Sequence, residues 1–265
     1  MMVGEVWPRE QRSLADYLRP DELQQAFNFR FLFSPWSASA FRSHIEEVET
    51  LLGADAWPTY TLSNHDFPRH ITRYGMSNAE ARARMAAVLL LTMRGTPFIY
   101  YGEEIGMPNV GIPEHRKRDP MGRDGCRTPM QWNASHNGGF TTASEAWLPL
   151  GDCAAINVEN QLDDASSMLA LYRRMIHLRK TNRALSEGSY CTEPNAPENC
   201  LVFHRAAANQ HVMVALNLAA TPRRIDIPRA SILLSSDSSR HERKLTGSID
   251  LAPNEGVVLE VSGSG

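Results

Sequence analysis

The chain has 265 residues, of which 42% are hydrophobic and 22% charged. These fractions sit near the globular averages of about 45–50% and 25%, which excludes a mainly disordered chain and sets roughly one to two domains. The net charge of −3 leaves no basic footprint for nucleic acid and no polybasic membrane anchor.

The first apolar, strand-like run is Met1–Val6. It has no basic n-region, so it is not a signal peptide. A chain that starts inside a strand is expected to be shorter than its full domain. Ala26–Phe29 is a second strand-like run. Ser37–Leu52 then places Phe41, Ile45, Val48 and Leu52 on one helical stripe. Pro58–Leu62 reads as a third strand. Ser77 with Glu80 three residues on is a capping-box signature for a helix over Ala79–Met93 that stops before Gly95. The apolar run Met85–Met93 inside it, broken only by Thr92, is far shorter than the ~18–20 residues of a membrane span. Phe98–Tyr101 is the fourth strand-like run. Strands without alternation, buried on both faces and separated by helices, mean parallel βα units.

The segment Gly102–Ala165 has little periodicity, and a loop of that length is usually functional or carries small elements of its own. A helix follows over about Ser166–Arg183, with Met168, Leu171, Tyr172, Met175 and Leu178 on one face. Arg179, Lys180 and Arg183 near its end complement the helix dipole. Beyond Leu185, the runs Leu201–Arg205, Val212–Leu218, Arg224–Ile227 and Val257–Val261 alternate apolar and polar residues. They predict a small antiparallel β-sandwich. The four cysteines, Cys126, Cys153, Cys191 and Cys200, form no CxxC pair and lack a finger-like His spacing. No zinc and no cofactor is expected. Free thiols in a reducing cytoplasm are the first reading; a Cys191–Cys200 disulfide across a loop with two prolines is the alternative.

Three segments carry chemistry. In Thr61–Arg69 a buried strand ends and at once presents Asn64, His65 and Asp66. In a parallel βα barrel such strand ends form the active face, and these groups suit the hydroxyls of a polyol. The same string also reads as a helix-capping Asp beside a His in a turn. Val3–Trp7 puts Glu5 at the end of another apolar strand. Trp7 beside it can raise the carboxyl pKa by desolvation, although a Glu ending a strand is often only solvated. Arg123–Trp132 holds the Arg, Asp, Gln and Trp that grip a sugar, or is a structural loop with an internal Arg–Asp pair.

The strings SNHD, RGTPFIYYGEEIGMP and RDGCRTPMQW followed by GGF, with INVENQ and LYRRMIHLRK, resemble the α-glucosidase and oligo-1,6-glucosidase branch of the α-amylase family of retaining glycosidases. The resemblance covers nearly the whole chain. It implies an α/β fold: the C-terminal half of a (β/α)8 TIM barrel over residues 1–184, including the long loop 102–165, then a β-sandwich domain over 185–265. It also implies roles. Glu5 in VGEVW matches the catalytic acid/base, and Asp66 the third carboxylate, which stabilises the distorted transition state. His65 matches a histidine bound to the same sugar, and Arg127 an arginine lining that subsite. Arg69 and Arg73 fall where the branch has arginines near the pocket rim.

One departure matters. The family's nucleophile is an aspartate in a GFRxD motif, and neither Phe29-Arg30 nor Phe41-Arg42 is followed by an Asp two residues after the Arg. A retaining mechanism needs two carboxyls about 5–5.5 Å apart, so the expectation is a truncated glycosidase, inactive alone. Its implied partners are a small α-glucoside and the missing N-terminal half of the barrel. A non-catalytic sugar- or partner-binding module of the same fold is an alternative, as is a transglycosylase or sugar isomerase of the family.

Overall fold

The computed structural model describes residues 1–6, 12–18, 21–53, 56–75, 78–240 and 244–262. Trp7 and Ser77, invoked above, lie outside the described residues. Contacts divide the chain into two compact units. One comprises Met1–Thr61, Met85–Phe98 and Met175–Gly265; the other comprises Leu62–Arg84 and Ile99–Arg174.

In the first unit four short strands run parallel: β1 (Val3–Gly4), β2 (Gln25–Ala26), β3 (Thr59–Thr61) and β4 (Thr96–Phe98). Val3 pairs with Gln25, a single bridge joins Phe27 to Thr59, and Thr59 pairs with Thr96. All three residues of β3 are buried, as expected for a strand covered on both faces. The helices between them are α1 (Arg12–Asp16), α2 (Phe29–Leu32) and α3 (Ala38–Leu52). Phe29 thus opens a helix instead of closing a strand. The Asn28 side chain accepts a hydrogen bond from the Phe31 N–H at 3.1 Å and caps that turn. Ser37 caps α3 in the same way. The α3 stripe buries Phe41, Ile45 and Val48, and Phe31 meets Tyr60 edge-on at 4.7 Å between ring centroids. The fourth strand sits earlier than expected, because Tyr100 C=O already accepts from Glu103 N–H at 3.1 Å and starts a turn.

The second unit begins after β3 with the short α4 (His70–Arg73), and α5 (Ala79–Thr92) runs from it into the first unit. The long aperiodic segment is built from four 3-10 turns, Glu103–Ile105, Glu114–Arg116, Arg123–Cys126 and His136–Gly139, and from α6 (Val158–Leu162). Next comes α7 (Met168–Thr181), whose start is capped by Ser167 Oγ accepting from Ala170 N–H. The expected helix to Arg183 is broken at Asn182. That side chain accepts from Leu185 N–H at 3.2 Å and caps a new helix, α8 (Arg183–Glu187).

The last part of the first unit is one antiparallel sheet of six strands: β5 (Ser189–Thr192), β6 (Cys200–Ala207), β7 (Gln210–Asn217), β8 (Arg223–Ser235), β9 (Lys244–Leu251) and β10 (Gly256–Val261). Their order is β5-β6-β7-β10-β8-β9. One face joins Val202, Met213, Ile225, Ile249, Val257 and Leu259 in a single apolar cluster. On the other side α3 and α8 pack against β6. Two arginines tie this region to the C-terminal carbonyls around α5. Arg179 donates to the carbonyls of Leu91, Met93 and Gly95. Arg205, fully buried, donates to those of Thr92, Gly188 and Ser189. Leu91 and Thr92 close α5 and Gly188 follows α8, so their carbonyls are helix-end acceptors that need donors. All four cysteines are free thiols. Among the described residues no helix is long and apolar enough to cross a membrane.

Candidate active site

The chain leaves β3 into Leu62, Ser63, Asn64, His65 and Asp66. Two devices fix this turn. Asn64 Oδ1 accepts from the N–H groups of Asp66 and Phe67 at 2.9 and 3.0 Å, an Asx turn that aims the Asp66 side chain. Beneath it, Ser63 Oγ accepts from His70 N–H at 2.9 Å and lies 3.0 Å from His70 Nδ1. The buried His70 and Glu103 side chains approach to 3.5 Å, and the Tyr172 hydroxyl donates to Glu103 at 3.4 Å. Buried hydrogen bonds between Ser63 and His70 and between Tyr172 and Glu103 tie the turn to the elements beneath it.

Asp66 is held by cations. Its Oδ1 accepts from Arg123 Nη1 at 2.7 Å and Arg127 Nη2 at 3.0 Å, and His65 Nε2 lies 3.5 Å away. Among the described residues Oδ1 takes all three contacts. Arg123 forms a fork on Asp119, with Nη2 to Oδ1 at 2.7 Å and Nε to Oδ2 at 3.0 Å. The Arg123 guanidinium holds the Asp119 carboxyl well below its ordinary range. Arg127 Nε donates to His65 C=O at 2.7 Å, so one arginine grips both the backbone and the carboxylate of the turn. The cluster therefore alternates charge: Asp66, Arg123, Asp119, Arg127. It has the planar donor forks and carboxylate acceptors that bind vicinal hydroxyls.

The structure thus brings together three of the four expected site residues, His65, Asp66 and Arg127. Glu5 lies in the other unit, exposed, directly after β1. Arg69, expected near a pocket rim, is fully buried. Its Nη1 donates to Tyr101 C=O, and its guanidinium lies 4.9 and 4.8 Å from the ring centroids of Tyr100 and Tyr101. Arg73 braces the carbonyls of Pro68 and Leu62. Sequence reading names Arg123 only as one of the sugar-gripping types in Arg123–Trp132, and misses Asp119 and the pairing of Arg123 with Asp66. It paired Arg123 with a neighbouring Asp, but Asp124 instead accepts the N–H groups of Arg118 and Asp119 and shapes the loop. The available signal was the four-residue spacing of Asp119, Arg123 and Arg127, which an aperiodic segment disguised. Burial pushes the Cys126 thiol pKa up, which disfavours its thiolate form. Among the described residues no group of three or more His, Cys, Asp or Glu side chains is placed to hold a metal ion.

Comparison with known proteins gives three findings. Residues 1–188 match the family described as "Alpha amylase, catalytic domain". Among curated relatives, the oligo-1,6-glucosidase of Parageobacillus thermoglucosidasius is 30% identical over 98% of this chain and 55% of its own length. The trehalose-6-phosphate hydrolase of Bacillus subtilis (strain 168) is 28% identical over 99% and 55%. Among solved structures, the alpha-glucosyl transfer enzyme XgtA superposes with a TM-score of 0.88 at 31% identity, covering 98% of this chain and 50% of that one. The trehalulose synthase MutB from Pseudomonas mesoacidophila MX-45 gives 0.89 at 28% identity, covering 98% and 55%. The chain spans about half the length of the curated relatives it matches, in their C-terminal part. The expected fold class, the later half of a TIM barrel followed by an antiparallel β domain, therefore holds.

Proposed function

The chain belongs to the α-amylase family, and from that membership we propose that it carries part of the active site of a retaining α-glucosidase acting on small α-glucosides. The observation that carries this reading is the Asp66 carboxylate fixed by Arg123 and Arg127 at the end of a parallel strand. In this reading Asp66, with His65, Arg123 and Arg127, grips the hydroxyls of the sugar to be cleaved. Its negative charge stabilises the oxocarbenium-like transition state. Glu5 protonates the leaving oxygen and later takes a proton from the incoming water. Residues 1–184 form the barrel half and 185–265 the β domain.

Double displacement also needs a carboxylate nucleophile. The sequence contains no GFRxD string, so these residues by themselves bind sugar with little turnover, and a carboxylate nucleophile from outside them completes the site. Losing a member of a catalytic set costs several orders of magnitude in rate, about 10⁴–10⁶ by analogy with triads. Purified chain is assayed on an aryl α-glucoside and titrated with maltose by calorimetry. Turnover near that of an intact relative, lost in Glu5→Gln, overturns the inactive-alone reading. Absence of maltose binding overturns the sugar-site reading. The second reading, a sugar-binding module without catalysis, is favoured by the same missing motif. It is separated by adding a relative's N-terminal half: restored turnover supports the glycosidase, and binding without turnover supports the module. With sucrose as substrate, the product distribution separates transfer to water from transfer to another sugar.

A further inference from the structure

On one face of the six-stranded sheet, Glu193, His204 and His211 meet. His204 Nδ1 lies 3.0 Å from His211 Nε2, and His204 Nε2 lies 3.3 Å from Glu193 Oε2. We propose that His204 and His211 are the two protein ligands of a site for a divalent late transition metal such as Zn²⁺, with Glu193 as the carboxylate that orients His204. The proposal is independent of the sugar-site reading, since all three residues lie on or beside β5, β6 and β7.

Strand register builds the pair. His204 sits on β6 and His211 on β7, the two arms of one hairpin. His204 pairs with Met213 and His211 with Ala206, so the two imidazoles are diagonal neighbours on one face, within reach of each other. Ala206, opposite His211, is small and leaves the ring room to lean towards His204. Glu193 follows β5, and its N–H donates to Val202 C=O at 2.9 Å, which puts its side chain on the face of Val202 and His204. Val202 and Met213 belong to the apolar cluster on that face, so the three polar side chains stand where the cluster ends. The side chains of His204 and Glu193 are 21% and 32% exposed, open to an entering ion yet partly withdrawn from water. The seven-residue separation of the histidines across a hairpin is no finger pattern and carries no metal signature in the sequence.

Proton placement makes the pair a ligand set. An ionised carboxylate only accepts, so His204 donates to Glu193 through Nε2–H and keeps a bare electron pair on Nδ1. That pair faces His211 Nε2. Without metal, a proton on His211 Nε2 fills the gap as a hydrogen bond. With metal, that proton moves to His211 Nδ1, and both ligands stay neutral. Burial and the adjacent His204 hold the His211 pKa down, which favours the neutral, ligating imidazole. A carboxylate on the far nitrogen is the usual outer partner of a ligating histidine. The distances fit as well. Two nitrogens bound tetrahedrally at about 2.0–2.1 Å lie about 3.3–3.4 Å apart, so the rings part by only a few tenths of an ångström. The ring centroids are 5.0 Å apart with planes at 46°, closer than an approach in line with both rings would give, so the imidazoles are canted. Imidazole donors select Zn²⁺, Cu²⁺ or Ni²⁺ over Mg²⁺ and Ca²⁺, and water completes the coordination shell.

The test is calorimetry of the purified chain with Zn²⁺, and with Mg²⁺ as the control. The parent is expected to take up one Zn²⁺ and no Mg²⁺. His204→Ala and His211→Ala should each bind Zn²⁺ at least about tenfold more weakly, and Glu193→Gln about tenfold more weakly. Cys191→Ser, which removes an exposed thiol, should bind as the parent does. Zn²⁺ should also raise the urea midpoint of the parent and not of the histidine variants. Should an alanine variant not fold, Ni²⁺ at low ratio reads the site in the parent itself: proton NMR should show selective broadening of the His204 and His211 ring signals, assigned with His211→Gln. No Zn²⁺ uptake by the parent, uptake unchanged in both histidine variants, uptake lost in Cys191→Ser, or broadening spread evenly over the other histidines overturns the proposal. Unchanged affinity in Glu193→Gln overturns the part given to Glu193.

Discussion

Replacing Arg205 by methionine should unfold this chain more readily than any single change at the proposed active site. The guanidinium is fully buried and donates to Thr92 C=O at 2.5 Å, Ser189 C=O at 2.9 Å and Gly188 C=O at 3.0 Å. Burial pulls its pKa down to about 9, so its desolvation is a large unfavourable quantity that only these bonds offset. Methionine fills much of the same volume and removes the desolvation. It leaves three buried acceptors without their donor, each at about 1–3 kcal/mol. Removing one partner of a buried charged network typically loses about 3–5 kcal/mol. With the recovered desolvation set against the orphaned carbonyls, we expect a net loss of about 3 kcal/mol, or roughly a 150-fold larger unfolded fraction. Urea unfolding followed by far-UV circular dichroism measures it. Arg205→Lys should lose nearly as much, because a single ammonium cannot serve three diverging carbonyls. A methionine variant within about 0.5 kcal/mol of the parent, or full rescue by lysine, would refute the reasoning.

Asp66→Asn should abolish calorimetric binding of maltose while changing stability by less than about 1 kcal/mol, because the ion pairs it breaks are partly solvated. Burial raises the Glu104 pKa, so above the ordinary carboxylate value of about 4.3 the unfolded chain has released a proton that the folded chain still holds. Stability therefore falls as pH rises from that value to the raised one, and Glu104→Gln should flatten urea midpoints across the window. Asp119 behaves oppositely. Its pKa is held low by Arg123, so its contribution is present above about pH 4 and lost as pH falls through the depressed value. Thermal melts of Asp119→Asn should show a deficit at neutral pH that shrinks in acid. Gly95 has φ +138°, and a Cβ there would sit 2.6 Å from Pro58 C=O. Gly95→Ala should thus destabilise the first unit by about 2 kcal/mol or more, read as a lower urea midpoint.

Much of the scaffold was legible because it is local. The stripe Phe41, Ile45 and Val48 predicts α3 and is buried as predicted. The all-buried Thr59–Thr61 reads as a strand because no residue on it alternates. The edge strands β5 and β9 escaped notice because their residues are largely exposed, and an edge strand has only one neighbour to impose a pattern. Asn182 falls in the last turn of the predicted helix to Arg183, although its side chain competes for backbone N–H groups and starts a new helix.

The site divides along the same line. The segment Asn64-His65-Asp66 after a buried strand, and the strings that resemble a known family, were readable in order along the chain, because a turn and its caps depend on neighbours a few residues away. Of the groups that grip Asp66, Arg127 is placed in its subsite only by that resemblance, and the direct pairing of either arginine with Asp66 is not legible. Arg123 reaches it across 57 positions and Arg127 across 61. Charge pairs at that range depend on how an aperiodic loop closes, which no periodicity encodes. Tertiary structure likewise made Arg69 and Arg205 interior residues, since a guanidinium can be buried only where folding supplies carbonyls and ring faces to receive it. It also gathered Tyr101, Trp132, Phe140 and Trp147 around one cavity. In sequence these are scattered aromatics; the fold turns them into one apolar surface next to a charged one.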